Sequence, residues 1–372
     1  MDASLPTPCF VVDVGRVERN CDRLLSLARV AGISLRPHAK THKTIEGVLL
    51  SCGVASPADA RIVVSTLAEA EFFAERGVPD ILYAIPIEPS RIKRAAAISR
   101  SIKSFHVMVD SPEAIAALQA AEDAPEWSVF LAIDATLYGR EGVSPSTAPM
   151  LAAAIHSGPR TRLAGIYSHS GNSYNCTDAA EGAQRMAALE RDEMVALARR
   201  LRDSDIPVHT ISIGATPSSM CGDGWDGVTE LHAGNFVFFD RQQVLSGSCS
   251  REEVACYVLA RVVSVSQERG EALIDAGATA LHKDAAGLST WGELLDEEHA
   301  GLVIRRMTQE LGVIGRADGS ALGDVLKLGD VVRILPNHSC MTAAGHNVFH
   351  VVREREGGLR ELVGRWIPAR GW

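Results

Sequence analysis

A lysine in a histidine-containing segment is the first candidate for covalent chemistry. Lys40 lies in the sequence Arg-Pro-His-Ala-Lys-Thr-His-Lys at residues 36–43. A lysine that is partly desolvated, or that lies near another cation, loses its proton more easily and can attack a carbonyl carbon. The alternative is a solvated basic loop, and a lone lysine does not exclude it. The choice depends on which residues the fold brings close to Lys40.

Two turns of small residues further along the chain could hold a phosphate group. Gly214, Ala215 and Thr216 form the first turn, and Gly234 and Asn235 form the second. Small residues allow backbone N–H groups to approach an anion closely, and hydroxyl side chains can add hydrogen bonds. Each turn taken alone could equally be an ordinary tight turn.

Three further side chains could contact a cofactor or its substrate. His169 and Tyr174 belong to the sequence Tyr-Ser-His-Ser-Gly-Asn-Ser-Tyr at residues 167–174, and Arg140 lies in a glycine-containing segment. His169 could stack on a ring, Tyr174 could reach a ring nitrogen or the substrate, and Arg140 could meet a cofactor oxygen or nitrogen. A capping histidine, a surface tyrosine and a surface ion pair are the alternatives.

A His-x-Cys motif near the C-terminal end could bind a metal ion. His338 and Cys340 are two residues apart, so their side chains point to the same side if the segment is extended. Imidazole and thiolate together suit Zn²⁺. Two protein ligands are few for a structural zinc site, and they fit a catalytic site with positions left for water and substrate better. A chance occurrence is the alternative.

The elements that must position these residues follow one repeated pattern. Short β-rich runs alternate with Ala/Leu/Glu/Arg-rich stretches that predict helices, for example at 67–76, 112–121 and 182–202. Eight such pairs predict an α/β fold, a (β/α)8 TIM-type barrel, with a doubly wound open sheet as the competing architecture. In a barrel, the candidate residues would meet at the C-terminal ends of the strands. The eight runs are residues 33–40, 61–65, 80–85, 105–110, 128–134, 163–169, 209–215 and 228–235.

The pattern of predicted secondary structure changes after residue 245. Helical periodicity nearly disappears, and strands are predicted in short runs separated by turns. We therefore predict two domains, a barrel over residues 17–245 and a second, mostly β C-terminal domain. The second domain would combine residues 1–16 with 246–372 and would carry the metal motif. Its predicted strands are residues 8–13, 254–267, 271–275, 331–335 and 348–353.

Composition limits the classes of partner. The chain of 372 residues has a formal net charge of −9 without a block of basic residues, so nucleic acid is not an expected partner. No apolar run approaches the roughly 18 residues that a membrane helix needs, and no signal peptide is visible, so we expect a cytoplasmic protein that does not bind membranes. The eight cysteines are scattered, and we expect most of them to be reduced.

Together these motifs resemble those of the D-serine dehydratase and D-threonine aldolase family, whose members are pyridoxal-phosphate enzymes of fold type III related to alanine racemase. The resemblance covers nearly the whole chain, and the segments that carry it most clearly are residues 36–44 and 336–342. It implies that Lys40 binds pyridoxal phosphate covalently, with His38 as a further contact, and that residues 214–216 form the phosphate loop. It implies that His338 and Cys340 are the metal pair. It also implies a homodimer with the site near the subunit interface.

The resemblance further favours the dehydratase branch. It implies His-x-Cys with zinc in the dehydratases, and His-x-Asp with manganese or magnesium in the typical aldolases. Cys340, Thr41 and Thr44 favour the dehydratases, and residues 215–218 are closer to the dehydratase loop than to the glycine-rich aldolase loop. Three residues depart from the dehydratase pattern, Ala215, Phe236 and Glu141.

We therefore predict a pyridoxal-phosphate- and zinc-dependent dehydratase of small D-3-hydroxy amino acids. D-Serine would give pyruvate and ammonia, and D-threonine or D-threo-3-hydroxyaspartate are further candidate substrates. The alternative is a metal-dependent aldolase that gives glycine and an aldehyde. A racemase and a non-catalytic carrier of pyridoxal phosphate are the remaining alternative functions. The racemase would have no use for the metal pair, and the second domain argues against the carrier.

Overall fold

The computed structural model describes residues 5–121, 126–176, 178–355 and 359–372. The chain divides into two compact units. The barrel unit contains Cys21–Phe236, Ser246–Ser248 and Ala369–Trp372, and the β unit contains the N-terminal segment up to Asn20, Val237–Leu245 and Cys249–Pro368. Strand β1 (Cys9–Asp13) and helix α1 (Val14–Ala31) come first in the chain.

Eight parallel strands form the sheet of the barrel unit, and each of them overlaps one of the eight predicted runs. Their order in the sheet is β2-β9-β8-β7-β6-β5-β4-β3. A parallel bridge between His38, beyond the end of β2, and Val63 of β3 joins the first strand to the last. The predicted barrel is thus confirmed, and the open-sheet alternative is wrong. The strands are β2 (Ser34–Leu35), β3 (Arg61–Val64), β4 (Asp80–Pro86), β5 (Ser104–Val109), β6 (Trp127–Ala132), β7 (Thr161–Tyr167), β8 (Thr210–Ile213) and β9 (Glu230–Leu231).

Helices connect the strands, and their starts are encoded by capping residues. The hydroxyl group of Thr44 accepts the N–H of Gly47 at the start of α2, and Thr66 and Ser111 cap α3 and α5 in the same way. The three helices named from the sequence are confirmed as α3, α5 and α7. The helices are α2 (Ile45–Cys52), α3 (Leu67–Ala74), α4 (Ile92–Ser101), α5 (Pro112–Ala120), α6 (Ala148–Ser157), α7 (Ala179–Asp203) and α8 (Thr216–Cys221).

The barrel strands are buried on both faces. Ile62 and Val64 belong to a large apolar cluster with residues of the helices, whereas Val63 belongs to a smaller cluster that includes Phe130 and Tyr167. This explains why the runs in the sequence are continuously apolar rather than alternating. The smaller cluster fills the interior of the barrel, so its C-terminal end is a surface on which side chains can be arranged.

Buried ion pairs fill the opposite, N-terminal end of the barrel. Arg36 is 2% exposed, and its Nε donates to Glu230 Oε2 at 3.0 Å. The same guanidinium group donates to Asp80 Oδ1 at 2.5 Å, and Arg61 Nη2 donates to Glu230 Oε2 at 2.9 Å. Each buried charge therefore has a partner, as burial requires.

The β unit is built on a nine-stranded sheet of order β11-β14-β13-β12-β15-β10-β1-β16-β17. The strands predicted at 8–13, 254–267, 271–275, 331–335 and 348–353 are confirmed as β1, β10, β11, β15 and β16. Four strands were not predicted, namely β12, β13, β14 and β17. The strands are β10 (Cys256–Ser266), β11 (Glu271–Ile274), β12 (Gly292–Leu294), β13 (Leu302–Met307), β14 (Gly312–Arg316), β15 (Val331–Pro336), β16 (Phe349–Glu354) and β17 (Arg360–Trp366).

Short helices complete the β unit. They are α9 (Arg241–Leu245), α10 (Ala278–Leu281) and α11 (Ser339–Ala344). Across both units, the described residues include no helix that is long and apolar enough to cross a membrane.

Candidate cofactor and metal sites

Lys40 lies at the C-terminal end of the barrel, in the turn that follows β2. It is half-buried, and its backbone N–H donates to Nδ1 of His38 at 3.4 Å. The charge of Lys40 acts on three buried imidazoles, those of His38, His169 and His232. The ends of β2, β7 and β9 supply these rings, so the barrel gathers them around the lysine.

All three imidazoles are uncharged at neutral pH. Burial is the largest cause of the lowered pKa of each ring, and the positive charge of Lys40 lowers it further; the pKa of His169 falls to about 3. Neutral rings can stack on an aromatic cofactor, and can donate or accept hydrogen bonds, without adding positive charge. The positive charge around these rings comes from Lys40 and Arg140.

His169 connects several of the predicted residues. Its Nδ1 is 3.0 Å from the carbonyl oxygen of Gly214, which fixes the ring against the turn after β8. The ring centroid of Tyr174 is 6.4 Å from that of His169. The two residues that the sequence places in one motif therefore lie beside the predicted phosphate turn.

His232 is a site residue that the sequence analysis missed. Its ring stacks on Tyr167, with centroids 3.9 Å apart and planes 12° from parallel, and Ser212 Oγ lies 2.9 Å from its Nδ1. Nε2 is buried and has no hydrogen-bond partner among the described residues. The sequence could have identified His232, because this residue directly follows the eighth strand and precedes the Gly234 turn.

Arg140 lies in the loop after β6 and is about half exposed. Its guanidinium group pairs with the carboxylate of Glu141, and its charge also acts on His38 and His169. The hydrogen bond with Glu141 is the main reason that the pKa of Arg140 is raised. The glutamate that departs from the dehydratase pattern is thus the residue that holds this arginine.

The two small-residue turns lie beside each other. The N–H of Asn235 donates to Thr216 Oγ1 at 3.0 Å, which ties the turn after β9 to the start of α8. Gly214 has a φ of +126°, and a Cβ on Gly234 would be 2.6 Å from the carbonyl oxygen of His38. Both positions therefore require glycine.

The amide of Ala215 is used within its own turn. Its N–H donates to Ser218 Oγ at 2.8 Å, and the same hydroxyl accepts a hydrogen bond from Ser170 Oγ at 2.9 Å. This amide is therefore engaged inside the loop, whereas Thr216 begins α8, where the first N–H groups lack intrahelical partners. The loop is held in one conformation by hydroxyl groups from two turns.

The barrel site fits pyridoxal phosphate. A half-buried lysine, neutral histidine rings and a glycine turn at the start of a helix lie together, and the unpartnered Nε2 of His232 is an additional polar atom for a ligand. The structure thus brings the predicted cofactor residues together at one end of the barrel. They are His38, Lys40, Arg140, His169, Tyr174, Gly214, Ala215, Thr216, Gly234 and Asn235.

The His-x-Cys motif of the β unit has a third participant. Asp284 Oδ2 lies 2.6 Å from His338 Nδ1. Burial opposes a charge on His338, but the hydrogen bond with Asp284 and the interaction with Cys340 raise the pKa of His338 to about 11. The site therefore stabilises a positive charge, and a carboxylate on one ring nitrogen is the usual way to orient the other toward a metal ion.

The backbone of the motif differs from the sequence expectation. The sequence analysis placed both side chains on one side if the segment were extended, but only His338 is extended, since α11 begins at Ser339. The side chains of His338 and Cys340 still lie close enough to interact. The buried carboxylate of Asp240 fixes the turn by accepting the backbone N–H of Ser339 at 2.8 Å.

A metal ion at this position would have few protein ligands. The described residues contain no group of three or more His, Cys, Asp or Glu side chains that could hold a metal ion. Asp284 contacts the histidine and is not counted as a third ligand. Two protein ligands would leave positions for water and substrate, and the metal site stays a prediction from the sequence.

The family model described as "Alanine racemase, N-terminal domain" matches residues 12–242 of the chain, and the one described as "Putative serine dehydratase domain" matches residues 255–352. D-threo-3-hydroxyaspartate dehydratase from Delftia sp. (strain HT23) is 34% identical over 99% of this chain and 98% of its own length. Its crystal structure superposes with a TM-score of 0.91, covering 100% of this chain and 99% of the other. A cysteine-to-alanine mutant of a D-threo-3-hydroxyaspartate dehydratase has been solved in a metal-free form.

Two more relatives allow the similarity to dehydratases to be compared with the similarity to aldolases. D-serine dehydratase from Dictyostelium discoideum is 34% identical over 99% of this chain and 98% of its own length. 3-Hydroxy-D-aspartate aldolase from Paracoccus denitrificans is 26% identical over 100% of this chain and 93% of its own length. The chain is thus more similar to these dehydratases than to this aldolase.

Proposed function

Because the chain belongs to the family of the D-serine dehydratases and the D-threo-3-hydroxyaspartate dehydratases, we propose that it is a dehydratase of small D-3-hydroxy amino acids that uses pyridoxal phosphate and zinc. The products would be a 2-oxo acid and ammonia. D-Serine, giving pyruvate, is the substrate we put first, followed by D-threo-3-hydroxyaspartate and D-threonine.

The observation that carries the proposal is the His338–Cys340 pair with Asp284 behind the histidine. Loss of a hydroxide ion from carbon is slow without help, because hydroxide is a poor leaving group. A zinc ion held by an imidazole and a thiolate acts as a Lewis acid toward such a hydroxyl group. A thiolate beside the imidazole favours zinc over the harder cations magnesium and manganese.

The barrel residues have separate tasks in this proposal. Pyridoxal phosphate supplies an electron sink for the negative charge that forms when the α-proton leaves. Lys40 holds the cofactor, and its Nζ takes the α-proton of the substrate. The uncharged rings of His169 and His38 confine the cofactor without competing for that proton, since their pKa values are lowered. The turn at Gly214 and Thr216 binds the phosphate group.

An aldolase is the competing function, because the chain is also 26% identical to 3-hydroxy-D-aspartate aldolase. In that reaction a base removes the proton of the 3-hydroxyl group, and the bond between Cα and Cβ breaks. The same residues bind the same substrates, so only the products distinguish the two functions.

Product analysis tests the proposal. The purified protein is supplied with pyridoxal phosphate and zinc and incubated separately with D-serine, D-threo-3-hydroxyaspartate and D-threonine, with and without a chelator. We expect equal amounts of a 2-oxo acid and ammonia, lost on chelation and restored by zinc. Glycine with an aldehyde would assign the aldolase function instead. Turnover that resists chelation would remove the metal from the mechanism.

A homodimer in the cytoplasm is the corresponding prediction for assembly and location. It rests on the resemblance to the family. Light scattering on the eluted protein gives the mass of the assembly, and a mass equal to that of one chain would contradict the dimer.

A further inference from the structure

Helix α7 carries one glutamate that is completely buried. Glu190 has 0% exposure, whereas Glu181 on the same helix is exposed. The carboxyl group of Glu190 faces the hydroxyl groups of Ser168 and Ser170 and the backbone of Gly214. Neither of its oxygens reaches hydrogen-bonding geometry with a described residue. A buried carboxyl group in this setting needs an explanation, because a leucine would pack there at lower cost.

The surroundings of Glu190 determine its charge. It forms no ion pair with any residue in the described part of the chain. Burial without a cation disfavours the ionised form and raises the pKa of Glu190 to about 8. The group is therefore a carboxylic acid at neutral pH, with one O–H to donate and one oxygen to accept.

The position of Glu190 links two turns of the candidate site. Ser168 and Ser170 flank His169 in the turn after β7, and Gly214 opens the turn after β8. The two turns already touch through His169 Nδ1, 3.0 Å from the Gly214 carbonyl oxygen. Glu190, on α7, faces both turns, through Ser170 and Ser168 beside His169 and through the backbone of Gly214.

We propose that Glu190 is a positioning residue whose carboxyl group holds the turn of His169 and the turn of Gly214 in the arrangement that binds the phosphate and ring of the cofactor. The inference rests on the proposed use of pyridoxal phosphate. Helix α7 would then contribute to the affinity for the cofactor although it is far from Lys40 along the chain.

Two substitutions separate positioning from packing. Glu190→Gln keeps the size and the hydrogen-bonding capacity but cannot ionise. Glu190→Leu keeps the packing but removes the polar carboxyl group that faces the two turns. Glu181→Gln and Glu181→Leu, at an exposed position of the same helix, are the matched controls. The measured quantity is the dissociation constant of pyridoxal phosphate from the full chain, titrated by absorbance and fluorescence after the cofactor has been removed.

At neutral pH we expect Glu190→Gln to bind pyridoxal phosphate within about twofold of the unsubstituted protein, and Glu190→Leu about tenfold more weakly, the usual scale for losing a buried hydrogen-bonding group. Both Glu181 variants should bind like the unsubstituted protein. If Glu190→Leu failed to fold, the pH comparison between the unsubstituted protein and Glu190→Gln would decide.

The pH comparison has a definite direction. The pKa of Glu190 in the folded protein, about 8, lies above the ordinary value of 4.5, so the contribution of this group to stability is fully present below pH 4.5 and is lost as the pH rises through 8. The unsubstituted protein should therefore bind pyridoxal phosphate progressively more weakly than Glu190→Gln above that pH, by about tenfold near pH 9. The melting temperature of the cofactor-free unsubstituted protein should fall relative to that of Glu190→Gln as the pH rises from 4.5 through 8.

Other titratable groups near Glu190 do not produce this difference. The pKa of Tyr167 is raised and that of His169 is lowered to about 3, in both cases mainly by burial. Helix α8 packs against α7, and its Cys221 has a pKa raised by burial. These groups, like the cofactor, are identical in the two proteins that are compared, so their titration cancels in the ratio of dissociation constants.

Equal affinities for the unsubstituted protein, Glu190→Gln and Glu190→Leu across the pH range would overturn the inference and leave the proposed function standing. An unsubstituted protein that bound no pyridoxal phosphate would overturn both. Weaker binding of pyridoxal phosphate by Glu190→Leu would support both, provided that the ratio of the dissociation constants of the unsubstituted protein and Glu190→Gln also grows with pH.

Discussion

Asp284 should control the affinity of the metal site although it is not one of the predicted ligands. Its Oδ2 lies 2.6 Å from His338 Nδ1, and its Oδ1 accepts the N–H of Ala286 at 3.0 Å. The carboxylate thus holds a proton on Nδ1 of His338, and a metal ion would bind the other ring nitrogen in place of the proton that it carries at neutral pH. Asn337 holds the same loop through a hydrogen bond from its Nδ2 to the carbonyl oxygen of Ala285, 3.1 Å long.

The substitution Asp284→Asn changes this arrangement with almost no change in shape. If the amide oxygen keeps the hydrogen bond from Ala286, the amide NH₂ faces His338 Nδ1. That nitrogen must then accept, and the proton moves to the nitrogen that should bind the metal. Loss of such an outer carboxylate typically weakens metal affinity 10- to 100-fold, or about 1.4–2.7 kcal/mol. We expect Asp284→Asn to fall in this range or beyond it, and Asp284→Ala to fall within it.

Zinc content after dialysis against a graded series of chelator concentrations measures this affinity. His338→Ala and Cys340→Ala should lose the metal completely, and Asp318→Asn, at an exposed turn of the β unit, should retain it. The absorbance of bound pyridoxal phosphate should be the same in all these variants. Zinc retention by Asp284→Asn equal to that of the unsubstituted protein would refute the assignment of Asp284 and the reasoning about the ring nitrogens.

Two further predictions concern the barrel unit. Lys40→Ala should abolish the visible absorbance of covalently bound pyridoxal phosphate, whereas Lys43→Ala should retain it; a band that survived in Lys40→Ala would refute the assignment of the lysine. Arg36→Met should lower the free energy of unfolding by about 3–5 kcal/mol, because it leaves the buried carboxylate of Glu230 with one cation fewer. Urea unfolding monitored by circular dichroism measures the loss, and a change no larger than that of the exposed control Arg29→Met would contradict it.

The barrel could be predicted because its signals are local. Each strand is a continuous apolar run, and the rule that function lies at the C-terminal ends of barrel strands then placed Lys40, His169 and Gly214 together. The motif residues were found because they directly follow strands in the chain. His232 also follows a strand, but it has no neighbour in a recognisable motif, and its role depends on stacking against Tyr167 on another strand.

The parts that were missed depend on contacts between distant segments. Asp284 meets His338 across 54 positions of the chain, through the arrangement of loops around the β sheet. Glu190 looks like an ordinary polar residue of an amphipathic helix, and only the packing of α7 reveals that it is buried. Strand β17 is largely exposed and rich in charged residues, so no apolar alternation marked it.

The central claim is that Lys40 at the mouth of the barrel holds pyridoxal phosphate, and covalent mapping tests it most directly. The protein is supplied with pyridoxal phosphate, reduced with borohydride to fix the link between lysine and cofactor, digested and analysed by mass spectrometry. The account predicts one modified residue, Lys40, with a yield that follows the visible absorbance. Modification of Lys43 or another lysine instead, or no modification at all, would contradict it.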